Sequence, residues 1–229
     1  MLFKGLNKNS LIEWPSKVVA VAYTGSCNFR CPFCQNKELV LEPEKLPDIK
    51  EKEIIKHLKK KRKWLDGLMV TGGEPTIHSN LPNVARQLKE EEFLFGIETN
   101  GSNPQMLIEM MKENLLDRVA LDIKAPLVWD KYKKAIGRKN PELLQKIKES
   151  IDIIQNSDIS HEFRTTVVPE ILQEKDLQMI GTQIQNAEEF NLQQFVPENT
   201  LDEKYEKIEP YPEKKLEKMK KQLLEKCEI

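Results

Sequence analysis

The chain has few histidines, few cysteines and no long apolar run. Its 229 residues include three His and four Cys, and Lys plus Arg (36) nearly balance Asp plus Glu (37). No stretch approaches the ~18 apolar residues of a membrane helix, and the start, MLFKGLNKNSLIEW, has no signal-peptide core. A formal charge of -1 provides no global field that attracts nucleic acid or an anionic membrane. We therefore expect a cytoplasmic protein that binds neither nucleic acid nor membrane.

The four cysteines are unevenly placed. Cys27, Cys31 and Cys34 fall within eight residues, whereas Cys227 lies almost at the C-terminus. Four cysteines in a cytosolic chain of this length do not indicate a disulfide framework, so ligation of a metal by thiolates is the better interpretation. We expect Cys227 to be an incidental thiol, because chain termini are usually poorly ordered.

Apolar, β-rich runs alternate with longer amphipathic stretches from about residue 18 to residue 198. The alternation predicts βα units and a mainly parallel sheet. The expected strands are Val18 to Thr24, Leu68 to Thr71, Leu94 to Thr99, Val119 to Ile123, Phe163 to Val168 and Gln193 to Val196. The expected helices are Lys52 to Trp64, Leu81 to Glu91, Pro104 to Asn114, Glu142 to Asn156, Lys175 to Asn186 and Pro212 to Lys226.

No repeat or linker divides the sequence, so one domain over residues 1–229 is expected. Its core spans about 17–198, with an N-terminal strand extension and a C-terminal helical tail. Polar or unusual residues gather just after the predicted strands. Because the carboxyl ends of parallel strands carry the site in α/β folds, these segments are expected to line one cavity.

The segment CNFRCPFC places three thiols on a loop that contains Pro32. Three ligands from one loop leave one coordination position of a metal centre open, which a structural zinc site or an electron-transfer cluster normally does not. Two simpler interpretations stay open at this point. The thiols could be buried or incidental, or they could form a zinc site completed by His57, His78 or His161.

The spacing CxxxCxxC, with Phe33 directly before the third cysteine, resembles the signature of the radical S-adenosylmethionine (SAM) superfamily. The resemblance implies that Cys27, Cys31 and Cys34 hold three irons of one 4Fe-4S cluster and are the catalytic residues. It also implies that the fourth iron chelates SAM, the second cofactor, and that one electron cleaves its sulfonium bond. The implied fold is α/β, an incomplete (β/α)6 TIM-type barrel with a radical SAM core.

Further segments resemble cofactor-binding motifs of the same superfamily. TGGEP after the second strand resembles its GGE motif, and paired glycines allow a close backbone approach. ETNG and DIK follow later strands, and residues i and i+2 of a strand share a face. The strand FRTTVVP adds an arginine suited to a carboxylate. A surface ion pair in DIK, or a structural salt bridge for the arginine, remains an alternative. The implied SAM contacts are Phe33, Asn36, Gly72, Gly73, Glu74, Glu98, Asp122, Lys124, Arg164 and Thr166.

From first strand to last helix, the order of motifs resembles the activating enzymes of glycyl-radical enzymes, and closest the anaerobic ribonucleoside-triphosphate reductase activating proteins. The resemblance implies a glycyl-radical enzyme as protein substrate, reduced flavodoxin or ferredoxin as electron donor, and anaerobic chemistry. Two positions depart from the related pattern. Glu198 and Asn199 stand where related activators have a histidine, and Gln35 follows the third cysteine in place of the more usual histidine.

Two other functions stay open, because fold and cofactor do not fix the substrate. One is a radical SAM enzyme that acts on a small molecule, of the deazaguanine-synthase type, and the other is a non-catalytic iron-sulfur or zinc module. The basic run Lys56 to Lys63 is expected to be a solvated helix face, with a docking surface for an acidic partner as the alternative.

Overall fold

The computed structural model describes residues 1–184 and 187–227, with the side chains of 224–227 left out. The predicted helix end at Asn186 and the prediction for the Cys227 thiol therefore lie outside the described residues. Within the described ranges, no helix is both long enough and apolar enough to cross a bilayer.

Nine strands and eight α-helices alternate along the described chain. The strands are β1 (Leu2–Phe3), β2 (Gly5–Ser10), β3 (Val19–Thr24), β4 (Ile49–Lys50), β5 (Gly67–Gly72), β6 (Leu94–Thr99), β7 (Arg118–Asp122), β8 (Ser160–Val167) and β9 (Phe190–Gln194). The helices are α1 (Lys37–Leu41), α2 (Glu51–Lys60), α3 (Leu81–Glu90), α4 (Pro104–Lys112), α5 (Trp129–Ile136), α6 (Glu142–Gln155), α7 (Glu174–Gln183) and α8 (Glu213–Cys227). Short 3-10 turns occur at Pro43–Lys45, Pro75–Ile77 and Glu203–Lys207.

The chain divides into two compact units, each discontinuous in sequence. The first unit comprises Met1–Asn28, Glu38–Thr99 and Gln105–Val119, and the second comprises Phe29–Lys37, Asn100–Pro104 and the chain from Ala120 onward. The expectation of one domain over residues 1–229 stays a prediction.

The sheet of the first unit places β3 between β2 and β5, followed by β6. β2 runs antiparallel to β3, whereas β3, β5 and β6 run parallel to one another. All four residues from Val19 to Ala22 are buried, as are Leu68 to Val70, because parallel strands are covered on both faces. Trp14 packs against this layer in a cluster with Val19, Val21 and Met69. The register pairs Thr24 with Gly72, so the carboxyl ends of β3 and β5 meet.

In the second unit, β8 and β9 pair in parallel, from Phe163 opposite Phe190 to Val167 opposite Gln194. Helix α6 buries Leu144, Ile147, Ile151 and Ile154, the three- and four-residue spacing of a single apolar stripe. Helix α5 ends at Gly137, which adopts the left-handed conformation of a helix C-terminus. The sequence did not predict α5.

Candidate functional site

In the first unit, the entrance to the cysteine loop is held by the turn that follows β5. The amide of Gly73 donates to the carbonyl of Thr24 (2.9 Å), and the amide of Glu74 donates to the carbonyl of Ser26 (2.9 Å). Ser26 adopts a positive φ of 65°, a conformation that is uncommon for residues other than glycine. The residue before Cys27 is thus fixed by main-chain bonds to the GGE turn.

Both glycines of the turn are required by this packing. Gly72 has φ of 106°, and a Cβ added there would lie 2.6 Å from the Thr24 carbonyl oxygen. A Cβ at Gly73 would lie 1.8 Å from the Ser26 carbonyl oxygen. The close approach expected of these glycines is therefore made to the chain's own backbone at the start of the cysteine loop.

Glu74 is almost completely buried, with 1% of its surface exposed. Its Oε1 accepts hydrogen bonds from the amide of Thr76 (3.0 Å), the hydroxyl of Thr76 (2.5 Å) and the hydroxyl of Thr99 (2.7 Å). These three donors compensate the cost of burying the carboxylate.

Glu98 lies on the opposite face of β6 from Thr99, as strand alternation requires. Its Oε2 accepts a hydrogen bond from the hydroxyl of Thr71 (2.6 Å). Burial raises the pKa of the neighbouring Tyr23, and the carboxylates of Glu13 and Glu98 raise it further. A partly exposed carboxylate therefore stands near the ends of β5 and β6.

The second unit contains Cys31 and Cys34. Cys31 is 7% exposed and Cys34 is half-buried, and the amide of Cys34 donates to the carbonyl of Cys31 (3.1 Å) in a tight turn. Within the described residues, Cys27, Cys31 and Cys34 form no disulfide bond. Cysteine sulfur is the donor that holds iron-sulfur clusters.

A segment far along the chain covers this turn. The amide of Leu201 donates to the carbonyl of Cys34 (3.0 Å), and the amide of Asp202 donates to the carbonyl of Pro32 (2.9 Å). The ring of Tyr205 packs on Phe33, with centroids 6.5 Å apart and planes tilted by 51°. Residues 200–205 are therefore part of the surroundings of the cysteine turn.

Asp122, Lys124 and Arg164 form a charged network where β7 ends beside the middle of β8. The ammonium of Lys124 lies 3.0 Å from Asp122 Oδ2, and Arg164 Nε donates to Asp122 Oδ1 (3.0 Å). The side chain of Lys124 is 17% exposed, that of Asp122 25% and that of Arg164 9%. The network is therefore mostly buried, unlike the surface ion pair that was the alternative, whereas the structural salt bridge considered for Arg164 is present.

The charges of this network depend on one another. Burial raises the pKa of the Asp122 carboxyl, but Arg164 and Lys124 outweigh burial and hold that pKa below its usual value. Burial lowers the pKa of Lys124, but Asp122, together with Cys31 and Cys34 beside it, raises that pKa above its usual value. Lys124 is therefore a fixed cation next to two of the three predicted cluster ligands.

The remaining predicted site residues are less closely connected. Thr166 donates to Gln193 Oε1 (3.4 Å) on β9, and Asn36 is exposed immediately before α1. Glu198 and Asn199 are exposed, and the amide side chain of Asn199 donates to the carbonyl of Gln35 (3.4 Å). The two departures from the family pattern, at residues 35 and 199, therefore touch each other.

The imidazoles that could have completed a zinc site are bonded to main-chain groups. The ring of His57 contacts the carbonyl of Lys8 (3.1 Å), and that of His78 contacts the carbonyl of Gly25 (2.9 Å). His161 contacts the carbonyl of Ile159 and the amide of Glu188. In residues 1–184 and 187–227, no three His, Cys, Asp or Glu side chains are grouped as a metal-ion site. Ligation of a cluster by Cys27, Cys31 and Cys34 stays a prediction.

Sequence reasoning missed the groups that support the site. They include Thr76 and Thr99 on Glu74, Leu201 and Tyr205 on the cysteine turn, and Tyr132, whose hydroxyl accepts from the amide of Lys124 (3.3 Å). Only Tyr132 carried a signal, because Tyr132, Ala135 and Ile136 have the spacing of a buried helical face just before Gly137.

The family model described as the radical SAM superfamily matches residues 21–180. The chain belongs to the radical SAM superfamily. Membership shows that the protein is a radical SAM enzyme and implies a 4Fe-4S cluster and SAM as cofactors. It also confirms the family that the cysteine loop predicted.

Individual relatives agree with this assignment. The chain is 33% identical over 215 residues to a Methanocaldococcus jannaschii protein named "Putative glycyl-radical enzyme activating enzyme", covering 92% of this chain and 86% of that one. It is 28% identical over 209 residues to the "Probable GTP 3',8-cyclase" of Pyrococcus horikoshii, covering 85% of this chain and 66% of that one.

The fold of this chain is similar to that of a solved structure. Streptococcus suis SuiB, bound to S-adenosylmethionine, superposes with a TM-score of 0.68 over 90% of this chain and 46% of SuiB, at 15% identity. The predicted fold class, an α/β incomplete TIM-type barrel with a radical SAM core, is confirmed.

Proposed function

We propose that this radical SAM enzyme activates a glycyl-radical enzyme, specifically an anaerobic ribonucleotide reductase. When bound, the cluster and SAM would supply hydrogen-abstracting chemistry, driven by one electron from reduced flavodoxin or ferredoxin. The products would be methionine, 5'-deoxyadenosine and a partner enzyme that carries a radical on one glycine. Similarity over nearly the full length of both chains to a relative named for this activity carries the proposal.

The residues that would hold the cofactors lie in the segments described above. Cys27, Cys31 and Cys34 would ligate the cluster. Lys124 would place a cation beside Cys31 and Cys34. Asp122 orients Lys124 and Arg164, which leaves two cations for the methionyl carboxylate of SAM.

In the first unit, Glu74 and the partly exposed Glu98 would receive cationic or hydroxyl groups of SAM. Gly72 and Gly73 shape the turn that presents Glu74. Phe33 would supply an apolar face, and Asn36 and Thr166 would supply polar contacts. The chain's role is to position SAM and exclude water, since the cofactors supply the reactive chemistry.

The test is anaerobic reconstitution with iron and sulfide, reduction, and addition of SAM. We expect 5'-deoxyadenosine by chromatography and, with the glycyl-radical enzyme added, a protein radical by electron paramagnetic resonance. Cys31→Ala is the control, and it should lose iron binding and deoxyadenosine together. Iron uptake without SAM cleavage in the native chain would instead identify a non-catalytic metal module.

A second candidate is a radical SAM enzyme that acts on a small molecule. Similarity to a protein named as a GTP 3',8-cyclase, over 85% of this chain, supports it. The two candidates separate when the reduced enzyme is given GTP or the glycyl-radical protein in turn. Consumption of GTP with no protein radical would favour the second candidate and contradict the first.

A further inference from the structure

Helix α5 connects two parts of the proposed cofactor site within the second unit. It spans only Trp129–Ile136, and its buried residues are Tyr132, Ala135 and Ile136. Tyr132 has no exposed surface. The helix contacts the DIK segment through Tyr132 and the cysteine loop through its C-terminal end.

The contact with the DIK segment begins where the sheet ends. Strand β7 ends at Asp122, and Ile123 still bonds to β8, because its amide donates to the carbonyl of Arg164 (2.8 Å) and its carbonyl accepts from the hydroxyl of Thr165 (2.8 Å). The next amide, that of Lys124, donates to the hydroxyl oxygen of Tyr132 (3.3 Å). The main chain is therefore hydrogen-bonded to β8 as far as Ile123, and at Lys124 the acceptor is Tyr132 instead.

The contact with the cysteine loop lies at the other end of the helix. The carbonyl of Ile136 accepts from the amide of Arg30 (2.9 Å), the residue before Cys31. Gly137 follows with φ of 60°, and a Cβ added there would lie 2.2 Å from the Arg30 carbonyl oxygen. No side chain fits between the helix end and the cysteine loop.

We propose that Tyr132 is a positioning residue for SAM binding, which sets the main chain of Lys124 against a helix whose far end is fixed to the residue before Cys31. This proposal rests on the proposed function, because it assigns Lys124 to the cofactor. A hydroxyl suits this task better than a carboxylate would, since it accepts a hydrogen bond without adding a buried charge.

The electrostatics support a permanently neutral phenol. Burial raises the pKa of Tyr132, the amide and ammonium of Lys124 lower it, and the charges of Cys31 and Asp122 raise it again, with a net increase. Tyr132 therefore keeps its proton at every pH at which the enzyme is expected to work.

The first test uses metal-free protein, so it does not depend on SAM chemistry. In Tyr132→Phe, the amide of Lys124 loses its acceptor while the ring that fills the core is kept. We expect hydrogen exchange at this amide, read at single-residue level, to quicken by roughly fivefold or more, the value of one lost hydrogen bond. Tyr211→Phe is the matched control, because it removes a hydroxyl bond to the carbonyl of Leu172 in the same unit and should leave the Lys124 amide unchanged.

The second test uses reconstituted enzyme. Tyr132→Phe should bind as much iron as the native chain, and its KM for SAM should rise about three- to tenfold while kcat changes less than twofold, a split that a purely structural role would not give. Gly137→Ala, which alters the other end of α5, should reduce iron uptake and change the spectrum of the reduced cluster.

The outcomes distinguish this inference from the proposed function. If the native enzyme cleaves SAM, and Tyr132→Phe matches it in amide exchange and in KM, Tyr132 has no positioning role. If the native enzyme binds no SAM, the proposed function fails and the positioning role fails with it, whereas the amide-exchange result still decides whether Tyr132 holds Lys124.

Discussion

Lys124 keeps its charge in surroundings that disfavour it. Burial alone would lower its pKa, and the neighbouring Asp122 together with Cys31 and Cys34 reverses that effect. Asp122 also accepts a hydrogen bond from Arg164 Nε at 3.0 Å, so it keeps a cationic partner when Lys124 is replaced. Under the proposed function, Lys124 binds an anionic group of SAM next to the cysteine turn.

Lys124→Ala is therefore expected to separate iron binding from SAM binding. Iron content should stay near the native value, while the Kd for SAM should rise roughly ten- to hundredfold, the range for a lost charged hydrogen bond. Equilibrium binding to the reconstituted enzyme measures both quantities. Lys133→Ala is the control, since Lys133 makes only an exposed pair with Asp130 on α5. Equal SAM affinity in both variants would contradict the role of Lys124.

At Gly73, the addition of a single methyl group should markedly lower the free energy of unfolding. In Gly73→Ala the new methyl would overlap the Ser26 carbonyl, which main-chain bonds hold in place. We expect the free energy of unfolding to fall by about 2–4 kcal/mol, as for other strained or overpacked sites. Urea denaturation of the metal-free protein measures it.

Gly5→Ala provides the comparison for that measurement. Its Cβ would lie 3.2 Å from Cδ2 of Tyr23, a side-chain atom that can move. A change of less than about 1 kcal/mol is expected there. Similar losses at the two glycines would refute the argument from the Ser26 carbonyl.

At the scale of elements, the 200–205 segment is the part of the site that lies farthest along the chain. Its main-chain bonds to Pro32 and Cys34, and the packing of Tyr205 on Phe33, cover the cysteine turn. Tyr205→Ala should therefore expose this turn. In metal-free protein we expect Cys34 to be alkylated by iodoacetamide several times faster, since thiol reactivity depends on exposure.

Mass spectrometry of the modified peptide gives that rate. Lys204→Ala, which changes an exposed neighbour in the same 3-10 turn, should leave it unchanged. An alkylation rate in Tyr205→Ala equal to that of the native chain would show that the segment does not protect the turn.

The buried elements were the ones that the sequence predicted best. The strand Leu94 to Thr99 was predicted at its observed limits, and the strand predicted from Val18 begins one residue later, because fully buried parallel strands read as unbroken apolar runs. β9 was predicted at Gln193 to Val196 and lies at Phe190–Gln194. Because the sequence of β9, FNLQQ, is mostly polar, the predicted strand begins three residues too late and includes the apolar Phe195 and Val196.

Short elements gave less signal. Helix α5 has eight residues, four of them charged, and the sequence did not predict it. Two turns of helix are marginal without tertiary packing. What stabilises α5 is the burial of Tyr132 and the fixed end at Gly137, which depend on residues distant in sequence.

At the scale of the whole molecule, the candidate site residues could be predicted from the sequence, but the groups that hydrogen-bond to them and hold them in place could not. The cysteine spacing, the position of Asp122 and Lys124 at the end of a strand, and the position of Arg164 within a strand follow from local sequence and from the geometry of parallel strands. The contacts of Leu201 with Cys34 and of Thr99 with Glu74 arise only from the folded chain. No local period or turn motif predicts them.

Cluster binding should also stabilise the protein as a whole. A ligand that binds only the folded state stabilises it by about 2.7 kcal/mol at a hundredfold excess over its Kd, which corresponds to roughly 5–10 °C in a chain of this size. We expect the reconstituted enzyme to melt that much above its chelated form in anaerobic calorimetry. Equal midpoints at full iron content would contradict a cluster that depends on the native loop, and Cys31→Ala should show no increase.

The contact of Gly73 with Ser26 has a genetic consequence. Every single-nucleotide missense change in a glycine codon introduces a side chain, and even the smallest, a methyl group, would overlap the Ser26 oxygen. In a saturation screen this position should tolerate no replacement, whereas Gly5 in the same unit should accept alanine. A homologue without this glycine would need a different main-chain conformation at Ser26, the residue before Cys27.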